Sequence, residues 1–338
     1  MYHILDKVQP QKGKSCIFSA LAVLFQQFGY SETDLFFLTD ELNIKYRIND
    51  YDPQNPEHSY LGQLYLSTKD ILEVISRRLC KMHIFENNNS DNLHTEIAKA
   101  FSVGSPIFLH LDTGKLTYHN IYKENEGRQH CIIIYGIDRP NDKYFIIDSH
   151  IRDYCSDIHV YKGPIPQDEV KSSFNLYAWI DTKKCLAIDK RAIVNNMLEN
   201  INTFTRGGQL DDEIYTGINA LRKYIGDLVM LKNTPEDTFL RVCQDIHLCM
   251  RIWSMASIID YTMDLIIENP EFRGDDFDVL LSNLRKLHDG WYSLSLSILK
   301  AGISNKKQDI NRIVAHAYDL IGVLEERFND ILTVFQSI

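Results

Sequence analysis

The chain has 338 residues, of which 44% are hydrophobic, and a formal net charge of −10 at pH 7. A chain of this length can bury a large core, and it divides into two domains about as often as it forms one. The acidic balance argues against nucleic-acid binding, because proteins that bind a phosphate backbone usually present a basic surface. No apolar run is long enough to cross a membrane, and the N-terminus lacks the apolar core of a signal peptide. We therefore expect a cytoplasmic protein that binds neither nucleic acid nor membranes.

The seven cysteines are scattered along the chain and include no CxxC pair. An odd number without regular spacing argues against both a disulfide framework and a zinc ribbon. We expect free thiols, no bound metal and no cofactor.

The first half of the chain predicts a mixture of helices and strands. An apolar segment at 16–29 predicts a helix that ends at Gly29, and Ser31 is a suitable N-cap for a second, short helix. A polar segment at about 49–59 predicts a loop. Further helices are predicted at 67–79 and 92–101, and strands at 80–85, 106–111, 131–135, 144–147, 158–161 and 176–180. These strands predict a sheet of about five or six members.

From about residue 189 the strand patterns stop, and apolar residues recur with helical spacing up to the end of the chain. Helices are predicted at 190–204, 209–231, 235–268, 275–302 and 307–336. The sequence thus predicts an α+β fold, with a catalytic domain at 1–188 followed by a helical bundle at 189–338.

Cys16 lies where a loop that contains Gly13 runs into the first predicted helix. A thiol at a helix N-terminus faces unpaired N–H groups and the positive end of the helix dipole, and Lys12 and Lys14 add positive charge nearby. Both effects favour the thiolate, which is the reactive form. Free cysteines more often simply pack in a core, so the hypothesis of a nucleophile requires a basic partner.

His130 and Asp148 are suitable partners. His130 directly precedes one predicted strand, and Asp148 ends the next one. When two adjacent strands are antiparallel, the start of the first lies beside the end of the second. His130 and Asp148 should therefore lie at the same end of the sheet. The carboxylate can then hold the imidazole tautomer that takes the thiol proton. We predict a catalytic triad of Cys16 as nucleophile, His130 as base and Asp148 as the residue that orients the base. Taken singly, each of these residues also fits an ordinary structural position.

Two segments carry a resemblance to a known family. Residues 16–36, with Cys16 and Gly29, and residues 130–148, with His130 and Asp148, resemble the N-terminal domain of the butirosin biosynthesis protein H family. Members of that family are papain-like relatives of the C39-type peptidases. The resemblance covers about residues 10–185. It implies a papain-like cysteine-protease fold, to which a helical domain is often appended.

The resemblance also implies an activity. In that family an acyl group passes from an acyl-carrier-protein thioester to an amine of an aminoglycoside. Cys16 would be acylated, and its thioester would then be aminolysed to an amide. A small diamine is an alternative acceptor, and the sequence does not distinguish the two. The implied partners are an acyl or peptidyl carrier protein and a small amine, in the biosynthesis of a natural product.

Papain-like enzymes place an oxyanion-hole glutamine about six residues ahead of the cysteine. Here Gln9 and Gln11 bracket that position, and the sequence leaves the choice between them open. The N–H of Cys16 is a natural second donor at a helix N-terminus. Ser15 and Ile17 stand where the C39 peptidases have Asp and Gly, and this difference disfavours proteolysis.

Asp112, Tyr118 and His119 lie between the strand at 106–111 and His130. This segment could border the active site and receive the acceptor amine, with Asp112 as the partner of a cation. The alternative is an ordinary polar connection between two strands.

Two other functions remain open at this point. One is a cysteine peptidase or amidase that uses the same triad. The other is a catalytically inactive metabolite-binding protein, in which Cys16 only packs.

Overall fold

The computed structural model describes residues 2–39, 44–48, 67–86, 91–123, 127–153, 157–187, 189–252 and 255–336. The loop predicted at 49–59 lies outside these residues. The strands are β1 (Tyr2–Ile4), β2 (Lys45–Arg47), β3 (Met82–Glu86), β4 (Ile107–Asp112), β5 (Gln129–Asp138), β6 (Lys143–Arg152), β7 (Ile158–Pro166), β8 (Phe174–Ile180), β9 (Gly208–Gln209) and β10 (Ile214–Thr216). The α-helices are α1 (Cys16–Phe25), α2 (Glu32–Leu38), α3 (Thr68–Arg78), α4 (Asp91–Ser102), α5 (Asn120–Lys123), α6 (Gln167–Lys171), α7 (Lys190–Arg206), α8 (Gly217–Asp227), α9 (Glu236–Ile252), α10 (Met255–Glu268), α11 (Asp275–Ile303) and α12 (Ile310–Gln336).

The chain divides into two compact units. The first consists of Met1–Thr39 and Ser67–Lys190, and the second of Asp40–Leu66 and Arg191–Ile338. The first unit contains the larger sheet, and the second contains most of the helical residues. None of the helices that the structure describes is both long enough and apolar enough to span a membrane.

The first unit is built on an antiparallel sheet of seven strands. Its order is β3-β8-β4-β5-β6-β7, and β1 pairs with the C-terminal part of β5. The α+β class predicted from the sequence is confirmed, although the sheet has one more strand than the upper number expected. The additional strand is β1, whose three residues are too few to show the alternation that predicts a strand.

Both faces of this sheet are covered by helices. On one face, Ile132 and Ile134 of β5 belong to a buried cluster that also contains Leu93 and Ile97 of α4. Helix α1 packs against β4, β5 and β6, and all ten of its residues are buried. A helix that is apolar all round is typical of such an enclosed position. This packing places the N-terminus of α1, with Cys16, beside the sheet.

Local sequence signals predicted the end of the first helical segment and the start of α2. The helix expected at 16–29 is α1 followed by a short 3₁₀ turn, and Gly29 ends it with a φ of 81°, in the left-handed region that favours glycine. Ser31 begins α2 with a capping box, in which its hydroxyl accepts the N–H of Asp34 and the Asp34 carboxylate accepts the N–H of Ser31.

Two predictions for the second half of the chain are wrong. Strands do not stop at residue 189, and residues 209–231 do not form one continuous helix. Strands β9 and β10 form a hairpin, and β10 also pairs with β2. The Asp211 carboxylate accepts the N–H groups of Glu213 and Ile214 in the turn, and Gly217 starts α8 with a φ of 57°. The partner strand β2 lies far away in sequence, so local periodicity could not reveal the pairing.

The other helical predictions of the second half agree better. Helices α7, α11 and α12 match the segments predicted at 190–204, 275–302 and 307–336 to within a few residues. The segment predicted as one helix at 235–268 contains α9 and α10, and residues 253–254 between them lie outside the described part of the chain.

The packing of β5 can be tested at Ile132, which has no exposed surface. We expect Ile132→Ala to lower the free energy of unfolding by ~2–5 kcal/mol, because it leaves a cavity in a closely packed cluster. Leu186→Ala is the control, since this side chain is 60% exposed and its loss should cost less than about 0.5 kcal/mol. Urea unfolding followed through the fluorescence of Trp179, with Trp253 and Trp291 replaced by Phe, measures both changes. Equal losses in the two variants would contradict the proposed packing.

Candidate active site

The loop before Cys16 is held by a carboxylate of α2. The N–H groups of Lys14 and Ser15 donate to Glu32 at 2.8 and 2.9 Å. Gly13 has no space for a side chain, because a Cβ there would lie 2.3 Å from Oε2 of Glu32. Ser15 is the extended N-cap residue of α1, so Cys16 opens the helix and its N–H has no partner inside it. The local sequence therefore fixes the position of Cys16.

His130 and Asp148 meet as the sequence predicted. His130 lies near the start of β5 and Asp148 lies in β6, which pairs with β5 in antiparallel fashion. Nε2 of His130 is 2.9 Å from Oδ1 of Asp148. Both residues are buried, and Asp148 has no exposed surface.

Asp148 accepts three further hydrogen bonds. The hydroxyls of Tyr118 and Tyr122 donate to its Oδ2 at 2.7 and 2.5 Å, and the backbone N–H of His150 donates to its Oδ1 at 3.1 Å. Burial alone would raise the pKa of Asp148. The charge of His130 and the hydrogen bonds from His130, Tyr122 and Tyr118 outweigh burial and lower this pKa, so the carboxylate is ionised.

The thiol of Cys16 lies within hydrogen-bonding reach of both His130 and Cys131. The hydrogen bond from Cys131 lowers the pKa of Cys16 most, burial opposes it, and the hydrogen bond and charge of His130 lower it further, to well below the ordinary value. Burial also lowers the pKa of His130, but Asp148 and Cys16 overcome it and raise this pKa to about 10. Together these shifts favour a buried thiolate–imidazolium pair at neutral pH. Since Nε2 of His130 is bonded to Asp148, Nδ1 is the nitrogen that faces the sulfur.

Cys131 was not predicted as part of the site. The sequence showed it only as an apolar strand residue that follows His130. The structure buries it beside Cys16, where burial and the contact with Cys16 raise its own pKa well above the ordinary value. Cys131 therefore keeps its proton and can donate a hydrogen bond to the sulfur of Cys16.

Gln9 and Gln11 differ in their surroundings. Gln9 is exposed, and its side-chain amide donates to the carbonyl of Asp6 at 3.3 Å and accepts from Lys162 at 3.0 Å. Gln11 is half-buried, and its backbone N–H lies 3.3 Å from the hydroxyl of Ser149, the residue after the triad aspartate. Among the described residues, no partner engages the side-chain amide of Gln11. Gln11 is therefore the glutamine that adjoins the site.

The three residues predicted to bind substrate lie in different positions. Tyr118 is bonded to Asp148, as described above, and its ring stacks on Tyr161 at 4.6 Å. His119 is half-buried, with its ring 5.7 Å from that of His159. The Asp112 carboxylate accepts the N–H of Gly114 at 2.7 Å and caps the turn there. Tyr118 thus contacts Asp148 directly, while Asp112 has a local structural partner. Their roles in substrate binding stay predictions.

Two buried polar atoms next to the nucleophile have no hydrogen-bond partner within the described residues. They are Oγ of Ser15, which precedes Cys16, and Nε2 of His150, which follows Asp148 by two positions. The other ring nitrogen of His150 lies 2.8 Å from the carbonyl oxygen of Gly13. The sequence did not single out His150, because it predicted a polar turn at 148–150, whereas the structure places these residues inside β6. The same described residues contain no group of three or more metal-binding side chains.

Comparison with known proteins gives a family match over part of the chain. Residues 15–149, which carry Cys16, His130 and Asp148, match the family model described as butirosin biosynthesis protein H, N-terminal. The resemblance inferred from the sequence is thereby confirmed over this segment, which is shorter than the 10–185 expected. No curated protein shows a significant match to the chain.

The contact between Cys131 and Cys16 predicts a change in thiol reactivity. Cys131→Ala removes a donor to the sulfur, so the pKa of Cys16 should rise and the pH profile of its alkylation by iodoacetamide should move to higher pH. At pH values below the pKa of Cys16, each unit of upward shift lowers the thiolate fraction about tenfold. Cys131→Ser retains a donor and should keep the profile closer to that of the wild type. Peptide mapping of the alkylated protein follows Cys16 alone, and identical profiles for both variants and wild type would contradict the proposed hydrogen bond.

Proposed function

We propose that the first unit is a papain-like cysteine acyltransferase, which takes an acyl group from a carrier-protein thioester and transfers it to a small amine to form an amide. The observation that carries this proposal is the buried chain of contacts from Cys16 through His130 to Asp148, within a segment that matches the butirosin biosynthesis protein H family. The pathway would make a natural product, and the acceptor would be an aminoglycoside or a diamine.

The arrangement of elements supports the papain-like part of the proposal. A cysteine opens a buried helix, and that helix packs against an antiparallel sheet whose neighbouring strands present the histidine and the aspartate. We further propose that the helices of the second unit form a bundle. The free cysteines among the described residues are consistent with a reducing compartment such as the cytoplasm.

In the first half-reaction, the Cys16 thiolate attacks the carbonyl carbon of the donor thioester. A bond forms between this carbon and the sulfur of Cys16, and the bond to the carrier sulfur breaks. The departing sulfur takes the proton from Nδ1 of His130. Asp148 stabilises the imidazolium before this transfer and holds the ring through Nε2, which leaves only Nδ1 to face the sulfur.

In the second half-reaction, the amine nitrogen attacks the acyl-enzyme. The C–N bond forms, the bond to Cys16 breaks, and the amine gives up one proton. The departing thiolate of Cys16 requires a hydrogen-bond donor beside it to stabilise its charge. Cys131 and His130 both lie within hydrogen-bonding reach of the sulfur. The products are the amide and the regenerated thiolate.

Each half-reaction passes through a tetrahedral oxyanion, which needs N–H donors. The N–H of Cys16 is free of helix partners, and the side-chain amide of Gln11 has no partner among the described residues. The occupied amide of Gln9 supports the choice of Gln11. A peptidase would use the same groups, and it would transfer the acyl group to water rather than to an amine.

Intact-protein mass spectrometry tests the proposal. Wild-type protein mixed with a small acyl thioester, such as acetyl-S-N-acetylcysteamine, should gain one acetyl group. Cys16→Ala should gain none, and Asp148→Asn should acylate ~10²–10⁴-fold more slowly, because it no longer stabilises the imidazolium. Addition of 1,3-diaminopropane should release the acetyl group as an amide. Release into water at the same rate without amine would support the peptidase or amidase alternative, and labelling of Cys16→Ala would contradict the proposal.

The two glutamines provide a second test with a matched control. Gln11→Ala should lower the rate of acylation by ~10²–10³-fold, which is the cost of one oxyanion donor. Gln9→Ala should change it less than about threefold, because its amide is engaged elsewhere. Single-turnover acylation rates measure both. A larger loss for Gln9→Ala than for Gln11→Ala would reverse the assignment.

A further inference from the structure

His150 is a second buried histidine beside the nucleophile. It is 5% exposed and lies in β6 two positions after Asp148. Its backbone N–H donates to Oδ1 of Asp148, the same oxygen that contacts His130. Its Nδ1 contacts the carbonyl of Gly13 in the loop before Cys16. His150 is thus held between the triad carboxylate and the nucleophile loop.

The contact with Gly13 determines which ring nitrogen carries the proton. A carbonyl oxygen can only accept a hydrogen bond, so Nδ1 of His150 must donate at 2.8 Å. In a neutral imidazole, the other nitrogen then presents a lone pair. That atom, Nε2, is buried and has no partner among the described residues. It is an acceptor in need of a donor, and it cannot serve as an oxyanion donor while the ring is neutral.

The surroundings of the two histidines shift their pKa values in opposite directions. In the free enzyme, Asp148 and the Cys16 thiolate raise the pKa of His130 to about 10 despite its burial, so this ring is protonated beside the sulfur. Burial is the main effect at His150 and lowers its pKa, so this ring stays neutral. Pairs of titratable groups whose pKa values are pushed apart commonly divide the roles of acid and base.

We propose that His150 is a second catalytic base, whose Nε2 accepts a proton from the acceptor amine as that amine attacks the acyl-enzyme. This inference rests on the proposed function and assigns the acceptor side of the reaction. An attacking amine needs a proton acceptor, whereas the departing Cys16 thiolate needs a donor. His150 meets the first need and His130 the second.

The proton balance is complete without another reactant. His130 gives its proton to the departing carrier thiol in the first half-reaction and regains one from water. In the second, the C–N bond forms, the C–S bond to Cys16 breaks, and one amine proton moves to Nε2 of His150. His150 then releases that proton to water. The net reaction converts a thioester and an amine into a thiol and an amide.

His150→Asn separates this role from a structural one. The Asn amide can still donate to the carbonyl of Gly13 from a position like that of Nδ1, but it has no group in place of Nε2. His94→Asn is a matched control, because His94 also has a buried ring nitrogen without a described partner and lies on α4, near Tyr144 rather than Cys16. Acylation by acetyl-S-N-acetylcysteamine and subsequent transfer to 1,3-diaminopropane are measured separately by quenched mass spectrometry of the full chain.

We expect His150→Asn to acylate within about threefold of the wild-type rate and to transfer the acetyl group ~10²–10⁴-fold more slowly. His94→Asn should be unchanged in both steps. Transfer by His150→Asn at the wild-type rate, or equal losses in acylation and transfer, would overturn the inference. If His150→Asn does not fold, judged by circular dichroism, His150→Gln is measured by the same criteria. Failure of the wild-type protein to become acylated would instead overturn the proposed function.

Discussion

The site depends on one buried carboxylate. Burying an ionised aspartate costs several kcal/mol unless donors and an opposite charge compensate for the lost water. Asp148 has four such donors: two tyrosine hydroxyls, the ring of His130 and the backbone N–H of His150. These donors come from the segment before β5, from β5 and from β6 itself. The carboxylate is compensated only when all of these elements are in place, so assembly of the site is coupled to folding of the first unit.

The loop before Cys16 is held from two sides. Glu32 accepts the N–H groups of Lys14 and Ser15, and His150 donates to the carbonyl of Gly13. The N–H groups of Lys14 and Ser15 and the carbonyl of Gly13 therefore have fixed partners. These contacts hold Cys16 in one position at the start of α1. Preorganisation of this kind is what a thiol nucleophile needs, because small displacements of reacting atoms cost large factors in rate.

The same contacts set the protonation states. Asp148 lies against His130 and favours its charged form. Burial favours the neutral form of His150 and outweighs the opposing charge of Cys16. Cys131 keeps its proton because it is buried beside the sulfur of Cys16. These shifts favour a thiolate at Cys16, an imidazolium at His130 and a neutral imidazole at His150, and each state follows from burial together with the neighbouring charges and hydrogen bonds.

The sequence by itself determined what local signals encode: the α+β class, the cysteine at a helix N-terminus, and the histidine and aspartate on neighbouring strands. Capping residues and a short connection between β5 and β6 made these predictions possible. Only the tertiary structure revealed the different surroundings of Gln11 and Gln9, the contacts of Tyr122, Cys131 and His150, and the pairing of β2 with β10. These features depend on contacts between residues far apart in sequence. The residues that flank a position in the sequence do not indicate what packs against it in the fold.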